Sequence, residues 1–489
     1  MADMLPNWLK KRASLTPERQ ALEFQGSQWT FQQLDEEVTD MAARLAASGI
    51  KEGEYCALLL RNHADSVIII HALFYIGARI VMLNHKLTTK ELDWQFQDSG
   101  ASWIISEEQF GEKLQEFPKE SVRKKEDLAQ ISKKESLLLK EEFCQDETAT
   151  IMYTSGTTGR PKGVIQTFGN HWWSAVGSVL NLGLQEKDRW YCAVPIFHIS
   201  GLSILMRSVI YGMKVVLAET FVEQEVNRSI REDGVTIVSV VSAMLNRMLA
   251  DVGDGGYPDH FRCMLLGGGP APKPLLEECK EKHIPVFQTY GMTETSSQIV
   301  TLSPEDSLRK LGSAGKPLFS AQIKIVKEGK EAPAGTAGEI VMKGPNVTKG
   351  YLHRPEATAQ AIKNGWLYSG DIGFIDEEGF LYVLDRRSDL IISGGENVYP
   401  AEVEAVLRAH PQVFEAAVVG RKDKQWGEVP AAFIVAKDKG TTATELEAFC
   451  KKQLAAYKVP RTYLFCKELP RNGAGKVVRR DLKEQLGEE

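Results

Sequence analysis

The sequence predicts an α/β protein with a large N-terminal domain of parallel sheets covered by helices, a small β-rich subdomain, and a smaller C-terminal α/β domain. Between residues 55 and 290 short apolar runs alternate with stretches of helical spacing, the pattern of parallel strands joined by crossover helices. Past about residue 312 the helical stretches thin out and strand-like runs follow one another. From Arg386 onward helix and strand alternate again, and a length of 489 residues leaves room for about three such units.

Residues 55–60 are an apolar run of strand length, 64–77 carry apolar residues at helical spacing, and 79–83 are strand-like again. The longest apolar stretch, 67–83, is interrupted by His71 and Arg79, so it reads as a buried helix running into a strand rather than a membrane span. Residues 107–145 are rich in Lys and Glu and read as a solvated surface excursion. Strand-like runs recur at 149–152, 190–194, 214–218, 236–241, 261–266 and 286–289, with helix candidates at 202–211, 222–232 and 274–282. Residues 322–326, 339–342 and 380–384 build the β-rich part, the last after the turn Asp376-Glu377-Glu378-Gly379. Helical runs at 400–409 and 442–454 then alternate with strands at 416–419 and 431–435. The boundary falls at Asp385-Arg386, giving domains 1–385 (β-rich part about 312–385) and 386–489.

Composition narrows the function. A content of 43% hydrophobic and 25% charged residues is that of an ordinary soluble globular protein, and a net charge of -6 supplies no basic field for nucleic acid. The seven cysteines are scattered singly, with neither zinc-site spacing nor a disulfide framework. Met1 to Pro6 turn polar before a signal-peptide core forms, so a cytoplasmic location is expected.

The richest stretch is Tyr153-Thr154-Ser155-Gly156-Thr157-Thr158-Gly159-Arg160-Pro161-Lys162-Gly163, directly after a strand-like run. Its glycines let backbone N–H groups close on an anion, while its hydroxyls and cations add donors and charge. It is a phosphate cradle. A P-loop would need Gly-Lys followed by Ser or Thr for magnesium, and here Lys162 lies between Pro161 and Gly163.

The order of residues in this loop resembles the phosphate loop of adenylate-forming enzymes, the family of acyl-CoA synthetases, adenylation domains and luciferases. Further motifs follow in family order, and the resemblance covers about residues 10–485. It implies that the loop (Thr154, Ser155, Gly156, Thr157, Thr158, Gly159, Lys162) holds the ATP phosphates. Gly268 and Gly269 of the Gly-Gly-Gly-Pro run belong to the same nucleotide site. In Tyr290-Gly291-Met292-Thr293-Glu294-Thr295 it gives Thr293 a phosphoryl oxygen and Glu294 the Mg²⁺, with Tyr290 and Gly291 beside ATP. Asp371 of Tyr368-Ser369-Gly370-Asp371 would accept hydrogen bonds from the ribose hydroxyls, Arg386 would be a second ribose contact, and Asp385 the hinge. Lys476, after Gly473-Ala474-Gly475, would be the catalytic lysine on a mobile C-terminal domain. His198 and Ser200 of Phe197-His198-Ile199-Ser200-Gly201 would line the acyl pocket, His198 as a wall rather than a base.

The resemblance implies a carboxylic acid activated by ATP and passed to a thiol, with ATP and coenzyme A as substrates and Mg²⁺ as cofactor. Residues 167–171, 311–318 and 388–400 resemble the branch that activates o-succinylbenzoate, an aromatic frame with two carboxylates. Arg207, in an otherwise apolar helical run, either reads the second carboxylate or snorkels to solvent. Another aryl or fatty acyl-CoA synthetase, a peptide-synthetase adenylation domain and a non-catalytic nucleotide-binding module stay open as alternatives. The partners expected are small molecules, with no nucleic acid and no membrane span. Oligomeric state stays open, a homo-oligomer included.

Overall fold

The computed structural model describes residues 3–487 except 88, 135–136, 155–160, 254, 269–270, 387–388, 390, 394–395, 399, 424–425, 439, 455 and 473–474. Two large sheets dominate it. One runs in the order Lys162–Thr167, Thr148–Thr154, Arg79–Met82, Tyr55–Leu59, Trp103–Ser106 and Val122–Lys124. It is parallel except for its edge pair, Lys162–Thr167 against Thr148–Thr154.

The second sheet has a parallel half, in the order Val286–Met292, Cys263–Gly267, Ile237–Val241, Arg189–Cys192, Lys214–Leu217 and Gln20–Phe24. Strand Ser297–Leu302 folds back antiparallel on Val286–Met292 and carries the sheet on into Ser313–Pro317, Leu381–Arg386, Trp366–Ile375, Gly338–Lys343 and Gln322–Lys327. The β-rich part is therefore an antiparallel extension of the parallel sheet. Near the chain's end, Val413–Asp423 and Gly427–Ala436 form a long hairpin that packs helices Pro400–Arg408 and Ala443–Lys451 over its own core of Val403, Leu407, Val418, Ile434, Leu446 and Cys450.

Helix Ala64–Ile76 shows why the sheets pack where they do. All its residues but Asp65 are buried, as its all-round apolar sequence demands of a helix inside a core. Gly77 ends it at φ +82°, a conformation that needs glycine. Residues 107–145 depart from the expected surface excursion. Phe110, Leu114, Phe117, Leu128 and Phe143 are buried there, Val122–Lys124 pairs with the first sheet, and Glu142–Cys144 pairs with Met4–Pro6. Phe110, Leu114 and Phe117 join the core of the first sheet beside Leu59, Val81 and Ile104, and Leu128 and Phe143 join the main core. Other boundaries shift by a few residues. Strand Val286–Met292 runs three residues past its expected end, so Tyr290 and Gly291 are strand residues. All seven cysteines are free, and no helix of the described residues is long and apolar enough to cross a membrane.

Two buried histidines set an acid limit. Burial lowers His71 and His171 from the ordinary 6.5 to about 4. Between these values the unfolded chain takes up protons that the folded chain refuses, so stability rises with pH through this window and is lost as pH falls through it. Each histidine contributes up to about 1.4 kcal/mol per pH unit. Urea midpoints should fall steadily from pH 7 to pH 5, and His171→Gln should flatten that slope. A midpoint independent of pH would contradict the assignment.

Candidate active site

The candidate phosphate loop lies between two strands that pair antiparallel, Thr148–Thr154 and Lys162–Thr167. Thr154 ends one strand, Lys162 begins the next, and the two face each other in register. This differs from the strand–loop–helix of P-loop proteins and accords with the exclusion made from spacing. Ser155, Gly156, Thr157, Thr158 and Gly159 lie outside the described residues, so Thr154 and Lys162 mark the loop by its two feet. The Lys162 ammonium lies 5.1 Å from the ring centroid of Tyr351.

The second motif turns on a glycine. A Cβ at Gly291 would sit 2.1 Å from Ser297 O, so only glycine lets the strand cross its neighbour there. The chain then makes the short 3₁₀ turn Thr293–Thr295 and leaves through Ser296 and Ser297 at φ +51° and +112°. This uncommon backbone is clasped from outside. Gln166 Nε2 donates to Thr293 O at 3.0 Å, Thr348 N to Glu294 O at 2.7 Å, Asn346 Nδ2 to Thr295 O at 2.9 Å and Ser174 Oγ to Ser296 O at 2.6 Å. Glu294 Oε1 accepts from Tyr351 OH at 3.0 Å. Among the described residues no three His, Cys, Asp or Glu side chains gather into a metal cage. The donor set fits Mg²⁺ held by one carboxylate together with phosphate and water oxygens, the coordination this ion prefers.

Asp371 lies inside strand Trp366–Ile375 rather than in a turn. It is 5% exposed and accepts a hydrogen bond from Tyr290 OH at 2.8 Å. Arg386 stands opposite Asp371 in register and Asp385 opposite Ile372, while their side chains lie outside the described residues. Gly268 follows strand Cys263–Gly267 at φ +87° against Val241; Gly269 lies outside the described residues.

His198 caps helix Ile199–Tyr211, which starts three residues earlier than its apolar spacing indicates. A Cβ at Gly201 would meet Pro195 O at 2.4 Å, so glycine lets the helix start hug the preceding loop. The His198 ring packs against Phe197, and its buried Nε2 has no hydrogen-bond partner among the described residues. Burial, then the charge of Lys476, lowers His198 to about 4, so it is neutral at physiological pH. Ser200 is exposed in the first turn.

Arg207, about 13 Å further along the helix axis, does not snorkel. It is 1% exposed, its guanidinium lies 5.2 Å from the Trp190 ring centroid, and Nη2 donates to Ser297 Oγ at 3.2 Å.

Lys476 stands at the end of a small turn. Asn472 N donates to Lys476 O, Lys476 N donates to Asn472 Oδ1, and Gly475 adopts φ +77°. Its side chain is exposed, yet its charge acts on His198 in the other domain. The charge of the C-terminal lysine is thus felt at His198 in the large domain.

Residues 9–352 match the model of the AMP-binding enzyme family, and residues 402–476 match that of the AMP-binding enzyme C-terminal domain. The chain belongs to the AMP-binding enzyme family. It is 60% identical over 485 residues to the 2-succinylbenzoate–CoA ligase of Geobacillus kaustophilus, covering 99% of this chain and 98% of that one. Its structure is similar, with a TM-score of 0.95 and 50% identity, to the o-succinylbenzoate CoA synthetase of Bacillus subtilis in complex with the acyl-adenylate intermediate OSB-AMP, over 100% of this chain and 99% of that one. The same Bacillus subtilis enzyme in complex with ATP and magnesium ion superposes with a TM-score of 0.94, at 50% identity over 99% and 100% of the two chains.

In this AMP-binding enzyme several site neighbours carry no sequence signal of their own. Ser297 and Trp190 hold Arg207 from two separate strands, and Tyr351 reaches Glu294 from more than fifty residues away. The run Ser296-Ser297-Gln298, which leads into the strand Ser297–Leu302, is a trace that a pattern search could have caught.

Proposed function

We propose that the chain is an AMP-forming 2-succinylbenzoate–CoA ligase, which joins 2-succinylbenzoate to coenzyme A through an acyl-adenylate in menaquinone biosynthesis. The observation that carries this is near-complete, 60% identical alignment with a 2-succinylbenzoate–CoA ligase. Arg207, a buried cation with one hydroxyl partner, supports an acid with a second carboxylate.

In the first half-reaction a carboxylate oxygen of the substrate attacks the α-phosphorus of ATP, and the bond to the β-phosphate bridging oxygen breaks to release pyrophosphate. Lys476 stabilises the charge that gathers on the α-phosphate. The hairpin loop from Thr154 to Lys162, with Thr293, holds the β- and γ-phosphates, and Gly268, Gly269, Tyr290 and Gly291 frame the nucleotide. Asp371 and Arg386 take the ribose. Glu294 holds Mg²⁺, which when bound neutralises phosphate charge. In the second half-reaction the sulfur of coenzyme A attacks the adenylate carbonyl and AMP leaves. Lys476 then has no bond to make, and rotation of residues 386–489 about Asp385 moves it away. His198 and Ser200 line the acyl channel. A reaction that uses ATP and coenzyme A, in a chain whose seven cysteines are all free, supports a cytoplasmic location.

Pyrophosphate release that depends on 2-succinylbenzoate tests the reading. Release driven equally by a benzoate or a fatty acid would reject the substrate. The hinge has its own test. Asp385→Pro fixes φ in the strand that leads into the C-terminal residues. The variant is expected to keep pyrophosphate release and to lose thioester formation by at least roughly tenfold. Equal rates in both steps would refute the pivot.

A further inference from the structure

Tyr351 stands at the centre of the site with no task in the reaction above. Its hydroxyl donates to Glu294 Oε1 at 3.0 Å, and its ring carries the Lys162 ammonium 5.1 Å from the centroid. The backbone around it makes the same two connections. Tyr351 is bridged antiparallel to Val164, and Leu352 N donates to Gly163 O at 2.8 Å, which ties this segment to the strand that leaves the phosphate loop. Thr348 N and Asn346 Nδ2 bond the carbonyls of Glu294 and Thr295, which ties it to the turn expected to hold the metal. Asn170 fastens the segment in turn, its Nδ2 donating to Pro345 O and Val347 O at 2.9 Å each. Residues 345–352 therefore join the two halves of the expected magnesium–ATP site.

We propose that Tyr351 is a positioning residue for magnesium–ATP, its hydroxyl aiming the Glu294 carboxylate at the metal and its ring presenting Lys162 to the phosphates. The proposal rests on the assignment of Glu294 and Lys162 made above. An ionised carboxylate offers about four acceptor sites, so a phenol on one oxygen sets the plane of the group. The ring holds Lys162 by its quadrupole rather than by a counter-anion, which leaves the ammonium's charge available to phosphate.

The test is ATP binding by calorimetry without the acid substrate, in excess Mg²⁺ and again in EDTA. Tyr351→Phe should weaken binding in Mg²⁺ by roughly tenfold and change binding in EDTA by less than about twofold, the difference one hydrogen bond to a charged group makes. Tyr351→Leu, which removes the ring as well, should weaken both. Glu294→Gln should weaken binding in Mg²⁺, and adding Tyr351→Phe to it should cost little more, because the hydroxyl acts through that carboxylate. Equal losses for Tyr351→Phe with and without Mg²⁺ would make the hydroxyl merely structural and overturn the proposal. So would no loss, or losses that add fully to those of Glu294→Gln. If Glu294→Gln alone leaves the Mg²⁺ dependence unchanged, the metal assignment itself fails and the proposal falls with it.

Discussion

Lys476→Ala is expected to stop adenylate formation while sparing thioester formation from supplied acyl-adenylate. The lysine side chain is exposed, and its charge reaches His198 of the large domain. Nothing in that placement supports the core, so the variant should fold and melt as the parent does. What it loses is a cation at the point where charge builds on the α-phosphate. A positioned charge in that role is worth about 10²–10³-fold in rate. Pyrophosphate exchange should fall by that factor or more, and synthetic adenylate with coenzyme A should still yield thioester. If both half-reactions fall together, Lys476 serves a step they share and the assignment fails.

The parts of this molecule that local chemistry dictates were legible in its sequence. The phosphate loop, the Thr293-Glu294 turn, Asp371 and Lys476 each sit in runs of glycine, hydroxyl and charge that no apolar periodicity requires. The alternating fold was legible for the same reason, since each strand and helix declares its own period. What escaped depends on long-range pairing. Asp371 occupies a strand because Arg386, Asp385 and Val383 pair with its neighbourhood across a register shift, which the local Ser-Gly-Asp sequence does not reveal. Residues 107–145 look solvated because their Lys and Glu outnumber the few aromatics that turn inward.

The stretches that carry the resemblance to the succinylbenzoate branch prove informative in another way. Thr167 caps helix Phe168–Leu182 in a capping box with Asn170, a Cβ at Gly169 would meet Gln145 O at 2.8 Å, and His171 Nε2 lies 2.8 Å from Thr150 Oγ1. At Gly315 a Cβ would sit 2.0 Å from Thr301 O. These residues shape the scaffold through close backbone packing and buried hydrogen bonds. Part of the third stretch, 388–400, lies outside the described residues.

Arg207 is the residue to which we propose that substrate choice is tied, and its surroundings make that role testable. A guanidinium that is 1% exposed, with one hydroxyl and one ring face as neighbours and Nε unpartnered among the described residues, is an under-compensated buried cation. Burial lowers its pKa accordingly. Retaining such a charge costs stability unless an anion arrives, and the second carboxylate of 2-succinylbenzoate is such an anion. Arg207→Ala should therefore raise KM for 2-succinylbenzoate by roughly ten- to a hundredfold, the size of a charge-assisted bond of about 1.5–3 kcal/mol. KM for ATP should hardly move, because Lys162 and Asp371 belong to other strands. A monocarboxylic aryl analogue should lose little on the same change. Arg207→Met, which keeps the volume without the charge, should melt no lower than the parent while binding 2-succinylbenzoate as poorly as the alanine variant. Equal losses for both acids, or a Met variant that loses stability and binding together, would mean that Arg207 supports the fold, and specificity would have to come from other residues of the pocket.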